Sequence, residues 1–73
     1  MFGQRLRELR LERGLTQLQL ATLLSTTQGT IGKYEREELQ PNINMIIEIC
    51  KVLEISSDYL LGLEDDTGTK INQ

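Results

Sequence analysis

The feature that most constrains this chain is a gap. Leu20, Ala21 and Leu24 mark one amphipathic helical segment, Ile31 and Tyr34 mark another, and only Ser25, Thr26 and Thr27 separate the two runs. Thr27 reads as an N-cap, because its hydroxyl can accept from a free amide of the turn that follows. The connection is then Ser25 and Thr26 alone. A link that short forces a sharp turn between two helices.

The flanking sequence extends this pattern. Phe2, Leu6 and Leu9 recur at i, i+4 and i+7, which predicts a helix over about 2–13 with Gly14 as its left-handed stop. Thr16 opens the next helix, and Gln19 completes a capping box. The third helix covers about 28–35. Pro41 and Asn42 mark a loop and a new N-cap. A fourth helix over about 43–53 is expected to turn Ile43, Ile46, Ile47, Ile49, Cys50 and Leu53 inward or nearly so. Ser56 is expected to cap a short fifth helix that Gly62 stops, and the polar tail LEDDTGTKINQ has little to bury. The expectation is an all-α, five-helix domain over 1–62 with a frayed tail over 63–73.

Composition narrows the function. A chain of 73 residues makes one small domain. A single cysteine, Cys50, allows no internal disulfide, and with no histidine there is no zinc site. The N-terminal MFGQRLRELR lacks a leader-like apolar run, and no apolar stretch is long enough to span a bilayer, so no membrane is expected and the cytoplasm is the expected location. Paired carboxylates in an apolar setting, a nucleophile beside a base and a phosphate-binding loop are all missing, so no catalytic residue, cofactor or metal is expected. Net charge is −3, but residues 1–36 carry six basic and three acidic groups while residues 37–73 carry two and eight. That asymmetry suits one face for a polyanion and one that avoids it, although ordinary variation of a surface also produces it.

LTQLQLATLLSTTQGTIGKYE, then QPN, then ISSDYLLG, resembles the helix-turn-helix domain of phage repressors and Cro proteins, within the XRE family of bacterial regulators. The resemblance covers about residues 3–62. It implies a lambda-repressor-like fold with helix-turn-helix at the second and third helices, and a double-stranded DNA operator as partner. The chain departs from the family where Ser25 replaces the turn glycine, Thr26 the apolar residue after it, Arg36-Glu37 the Asn-Gly after the third helix, and Glu38-Leu39 the basic pair that often follows.

On that resemblance the third helix enters the major groove. Ile31 and Tyr34 point inward, which leaves Thr27, Gln28, Gly29, Gly32 and Lys33 for base contacts. Gln28 is the strongest reader, since a carboxamide can bond adenine N6 and N7 together, and Lys33 can donate to guanine or to a phosphate. Gln17 matches a phosphate contact of the family. Arg36 is a further phosphate contact, and Gln40 and Asn42 are weaker ones that also suit loop hydrogen bonding and capping. Arg10 and Glu35 match a partly buried salt bridge beneath the DNA face.

Gly29 and Gly32 are costly in a helix this short. Either they bare the backbone for close approach to DNA, or they are simply tolerated. Leu18, Leu23 and Leu39 stand where the family has charges, as scattered exposed leucines or as a partner surface. A homodimer is expected on two half-sites, joined away from the basic helices near Val52, Tyr59, Leu60 and Leu63. No small-molecule effector is expected. The alternative is a protein-interaction module of the same fold, of antitoxin or anti-repressor type.

Overall fold

The computed structural model describes residues 2–55 and 57–60. Four helices and a closing helical turn follow in chain order: α1 (Phe2–Glu12), α2 (Gln17–Leu23), α3 (Gln28–Glu35), α4 (Ile43–Leu53) and α5 (Ser57–Leu60). No strand occurs among the described residues. The α2–turn–α3 unit is covered by α1 on one side, and α4 and α5 close the remaining core. Leu6, Leu20, Ile31, Ile49, Leu53 and Leu60 have no solvent exposure, so every element contributes at least one fully enclosed side chain. Truncating one of them to alanine typically costs about 2–5 kcal/mol, a large share of the stability of a domain this small.

The helix starts follow the sequence. Thr16 Oγ1 accepts from the Gln19 amide at 3.0 Å while Gln19 Oε1 accepts from the Thr16 amide at 2.8 Å, a complete capping box. Thr27 Oγ1 accepts from the Thr30 amide at 3.2 Å, and Asn42 Oδ1 from the Met45 amide at 2.8 Å.

The helix ends share one device. After α1, Gly14 at φ 70° lets the Leu15 amide reach the Arg10 carbonyl at 3.1 Å and the Gly14 amide reach Leu11 at 3.0 Å. After α2 the same pair of bonds forms around Ser25 at φ 56°, with Thr26 to Ala21 at 2.9 Å and Ser25 to Thr22 at 3.2 Å. After α3 it forms around Glu37 at φ 59°, with Glu38 to Lys33 at 2.8 Å and Glu37 to Tyr34 at 3.1 Å. A side chain in this left-handed region is disfavoured by roughly 1–2 kcal/mol. Ser25 and Glu37 therefore keep the turn geometry and accept the strain.

Two expectations are corrected. Ile43 is 74% and Ile47 46% exposed. At about 100° per residue, Ile47 lies about 160° around α4 from Ile49, and Ile43 about 120°. The buried stripe of α4 is set by Ile49 and Leu53, with Met45, Ile46, Val52 and Cys50 at its margins. Leu60, expected at a dimer surface, is wholly enclosed in the core of the single chain and offers no surface to a partner. Leu63, Ser56, Gly62 and the tail lie outside the described residues.

A buried charge network fixes how the helices meet. Arg10 on α1 donates to Glu35 at the end of α3 through Nε at 2.6 Å and Nη2 at 3.1 Å, and its Nη1 donates to the Leu15 carbonyl at 2.8 Å. Gln17 Nε2, at the start of α2, donates to Glu35 Oε1 at 3.1 Å. The Arg10 and Glu35 side chains are 8% and 4% exposed. Above them, Gly3 allows α1 to lie directly on the end of α3: a Cβ there would stand 2.6 Å from the Glu35 carbonyl oxygen and 2.7 Å from that of Tyr34. Phe2 meets the Tyr34 ring edge to face, with centroids 6.5 Å apart. At the other end Arg13 donates to the Leu53 carbonyl, and Arg5 stacks over Tyr59 at 4.9 Å.

Arg10→Met leaves the Glu35 carboxylate buried without its counter-charge, and should cost about 3–5 kcal/mol in urea denaturation. The Arg10→Met/Glu35→Leu pair should recover a large part of that loss. A single variant as stable as the parent would contradict the clamp. The helix ends give a second expectation. Ser25→Gly should raise stability by roughly 0.5–1 kcal/mol, because glycine accepts positive φ without the Cβ contact. Gly3→Ala should lower it, since the opposing atoms are backbone oxygens. Both are read as shifts in melting temperature.

Candidate nucleic-acid interface

Helix α3 has two unlike faces. Ile31 and Tyr34 are buried in the core, whereas Thr27, Gln28, Gly29 and Lys33 are exposed. The Thr27 hydroxyl is committed to the helix start, where it also shares a 2.9 Å hydrogen bond with the Thr30 hydroxyl. Gln28 and Lys33 thus stand on the outer face as a carboxamide and an ammonium, the two chemistries that read base edges most directly.

The two glycines separate. A Cβ at Gly29 would meet nothing closer than the Thr27 hydroxyl at 4.0 Å, so its backbone is open to an approaching ligand. Gly32 is buried. A Cβ there would lie 2.9 Å from Arg36 Nη1, because the guanidinium folds back along α3 and covers it. In this conformation the chain's own Arg36 covers the backbone at Gly32, where direct approach was expected.

Gln17 is half-buried and held by Glu35. One N–H of its amide is engaged there, which leaves the second to donate elsewhere. The clamp that supports α3 from beneath therefore also orients a side chain at the start of α2. Arg36 caps the far end of α3 and pairs with Glu38 through Nε at 2.9 Å and Nη2 at 3.4 Å. The hydrogen bond to Arg36, and then its charge, hold the Glu38 carboxyl below the usual carboxylate range, and the same contact raises the Arg36 guanidinium. Both groups are fully charged at neutral pH. Gln40 is exposed, and Asn42 spends its carbonyl oxygen on the start of α4.

The residues named from the sequence are thus brought together in part. Gln17, Glu35 and Arg10 form one network, and Thr27, Gln28, Gly29 and Lys33 one exposed surface. Sequence reasoning missed the role of Glu38. The available signal was a glycine four residues before an arginine, with an acid two residues after it.

Two other features are close by. Leu18 and Leu23, 59% and 56% exposed, line a shallow apolar groove on α2 with Leu15, Gln19 and Thr22. Leu39 is 44% exposed. Burial raises the Cys50 thiol above its ordinary range, which keeps it protonated at neutral pH. Among the described residues no cluster of three or more His, Cys, Asp or Glu is placed to hold a metal ion, and no helix is long and apolar enough to cross a membrane.

A helix-turn-helix family model matches residues 6–60. The uncharacterized HTH-type transcriptional regulator YobD of Bacillus subtilis is 36% identical over 73 residues, which are the whole of this chain and 65% of that protein. Repressor protein C2 of Salmonella phage P22 is 31% identical over 61 residues, 84% of this chain and 28% of the repressor. Three Bacillus subtilis relatives are matched over 65%, 56% and 50% of their length, so the chain spans between half and about two thirds of each. The P22 c2 repressor solved in complex with a synthetic operator superposes with a TM-score of 0.79 at 30% identity, covering 82% of this chain and 91% of that one. The biofilm regulator SinR in complex with DNA gives 0.78 at 29% identity, covering 84% and 98%. The matched span takes in the whole α2–turn–α3 unit and the helices that bury it, and the chain therefore belongs to the helix-turn-helix family, in the branch of the XRE regulators and phage repressors.

Proposed function

We propose that this chain is a sequence-specific DNA-binding transcriptional regulator of repressor type, a five-helix domain that lays α3 in the major groove of an operator. The observation that carries the reading is the outer face of α3. Gln28, Gly29 and Lys33 stand exposed there, on a helix whose inner face is locked into the core and whose end is clamped by Arg10. Among its structural neighbours are a repressor on its operator and a regulator on DNA.

In this reading Gln28 and Lys33 touch base edges and Thr27 fixes the start of the reading helix. Gly29 lets the backbone come close, and what few side chains reach the bases is supplemented by DNA shape. Gln17, oriented by Glu35, donates its free N–H to a phosphate, and phosphate contacts of this kind set register without carrying sequence information. Arg36, Gln40 and Asn42 lie where the adjoining backbone would run.

One domain makes few base contacts, so two copies read two half-sites about one helical turn apart, roughly 34–36 Å. With Leu60 in the core, the joining surface is drawn from half-buried Val52 and Tyr59. Self-association in free solution should be weak, and binding to a duplex with two half-sites cooperative.

Selection of bound sites from random DNA tests the reading and yields the operator. Gln28→Ala should cost roughly 1–3 kcal/mol on the selected site and relax preference at one base pair. Gln17→Ala should weaken selected and unrelated duplexes by similar factors. Affinity should fall steeply as salt rises. A chain that binds no duplex, or binds without salt dependence, would instead support a protein-binding module of the same fold.

A further inference from the structure

The loop after α3 carries Glu37 and Glu38 where a DNA-binding surface would favour positive charge. Their backbone is not free to drift. Glu37 sits at φ 59°, and the Glu38 amide is fixed to the Lys33 carbonyl at 2.8 Å, so the cap itself sets where Glu38 begins. From that position the carboxylate receives two N–H bonds from Arg36, at 2.9 and 3.4 Å. Gly32 supplies the third part. With no side chain at 32, the guanidinium lies along α3, and a Cβ at that position would intrude on it at 2.9 Å.

The geometry points to an intramolecular latch in which Glu38 stands in for a DNA phosphate, holding the Arg36 guanidinium until a real phosphate displaces it. A carboxylate offers the same pair of acceptor oxygens to a guanidinium that a phosphate does. The pair is exposed, with side chains 57% and 54% accessible, so it is weak and exchangeable. It acts as a threshold: Arg36 adds to binding only after Glu38 gives way. Glu38 thereby lowers affinity for any duplex, and Arg36 is missing from the salt-sensitive total in those complexes where the latch stays closed.

This inference rests on the DNA-binding reading, and the test separates the two. Affinity for a random-sequence duplex is measured across a salt series for the parent, Glu38→Gln, Arg36→Ala and the double variant. All the replaced side chains are exposed, and far-UV circular dichroism checks the fold. Glu38→Gln should bind several-fold more tightly than the parent, with a plot of log K against log salt steeper by up to about one. In the Arg36→Ala background the same substitution should lose most of its gain and leave the slope unchanged. An equal gain in both backgrounds would show that Glu38 acts only as a general repulsive charge, and would overturn the latch. No gain in the parent background would overturn it too. Absence of duplex binding by all four proteins would overturn the DNA-binding reading and the latch with it.

Discussion

The arrangement depends on one buried arginine. Arg10 reaches from α1 across the α1–α2 turn to Glu35, and Glu35 in turn receives Gln17 from α2. Three helices are thereby tied through one carboxylate. A charge pair this enclosed gains little net stability over an apolar pair of similar shape, because both ions must leave water. What it supplies is position. Glu35 is the last residue of α3, so the pair fixes the end of that helix, while Gln17 at the start of α2 is held by the same carboxylate. The end of α3 and the Gln17 side chain, for which base reading and backbone contact are proposed, are held by one network.

The short connections depend on a second constraint, the left-handed residue at each helix end. Gly14 meets it without strain. Ser25, Glu37 and, after α4, Glu54 meet it at a cost, each with a capping bond from the residue that follows. Placing an acid rather than glycine after α3 has a chemical consequence as well. It leaves the backbone geometry in place and changes the charge of the loop that faces the expected DNA backbone.

Much of this was legible in the sequence because it is local. Thr16, Thr27 and Asn42 cap helices through atoms three residues away, and Gly14 stops α1 within its own turn. The inner positions Ile31 and Tyr34 followed from spacing within a single helix. What was not legible depends on which neighbour arrives. Eight apolar residues on α4 offered more than one inward stripe, and contact with the rest of the core selected Ile49 and Leu53 over Ile43 and Ile47. Leu60 read as surface because nothing local says that the core closes over it. Gly32 read as open backbone because the fold of the Arg36 side chain over it is set by Glu38, a partner outside the helix.

The central claim is that the outer face of α3, steadied from beneath by the Arg10–Glu35–Gln17 network, is the surface that meets DNA. Its most direct test is an amide NMR titration of the chain with a duplex carrying its selected site. The account predicts that the largest shift changes fall on residues 16 and 17, on 27–33 and on the loop over 36–42, with the interior of α4 little affected. Changes concentrated instead on α4, or on the apolar groove of α2 around Leu18 and Leu23, would contradict it.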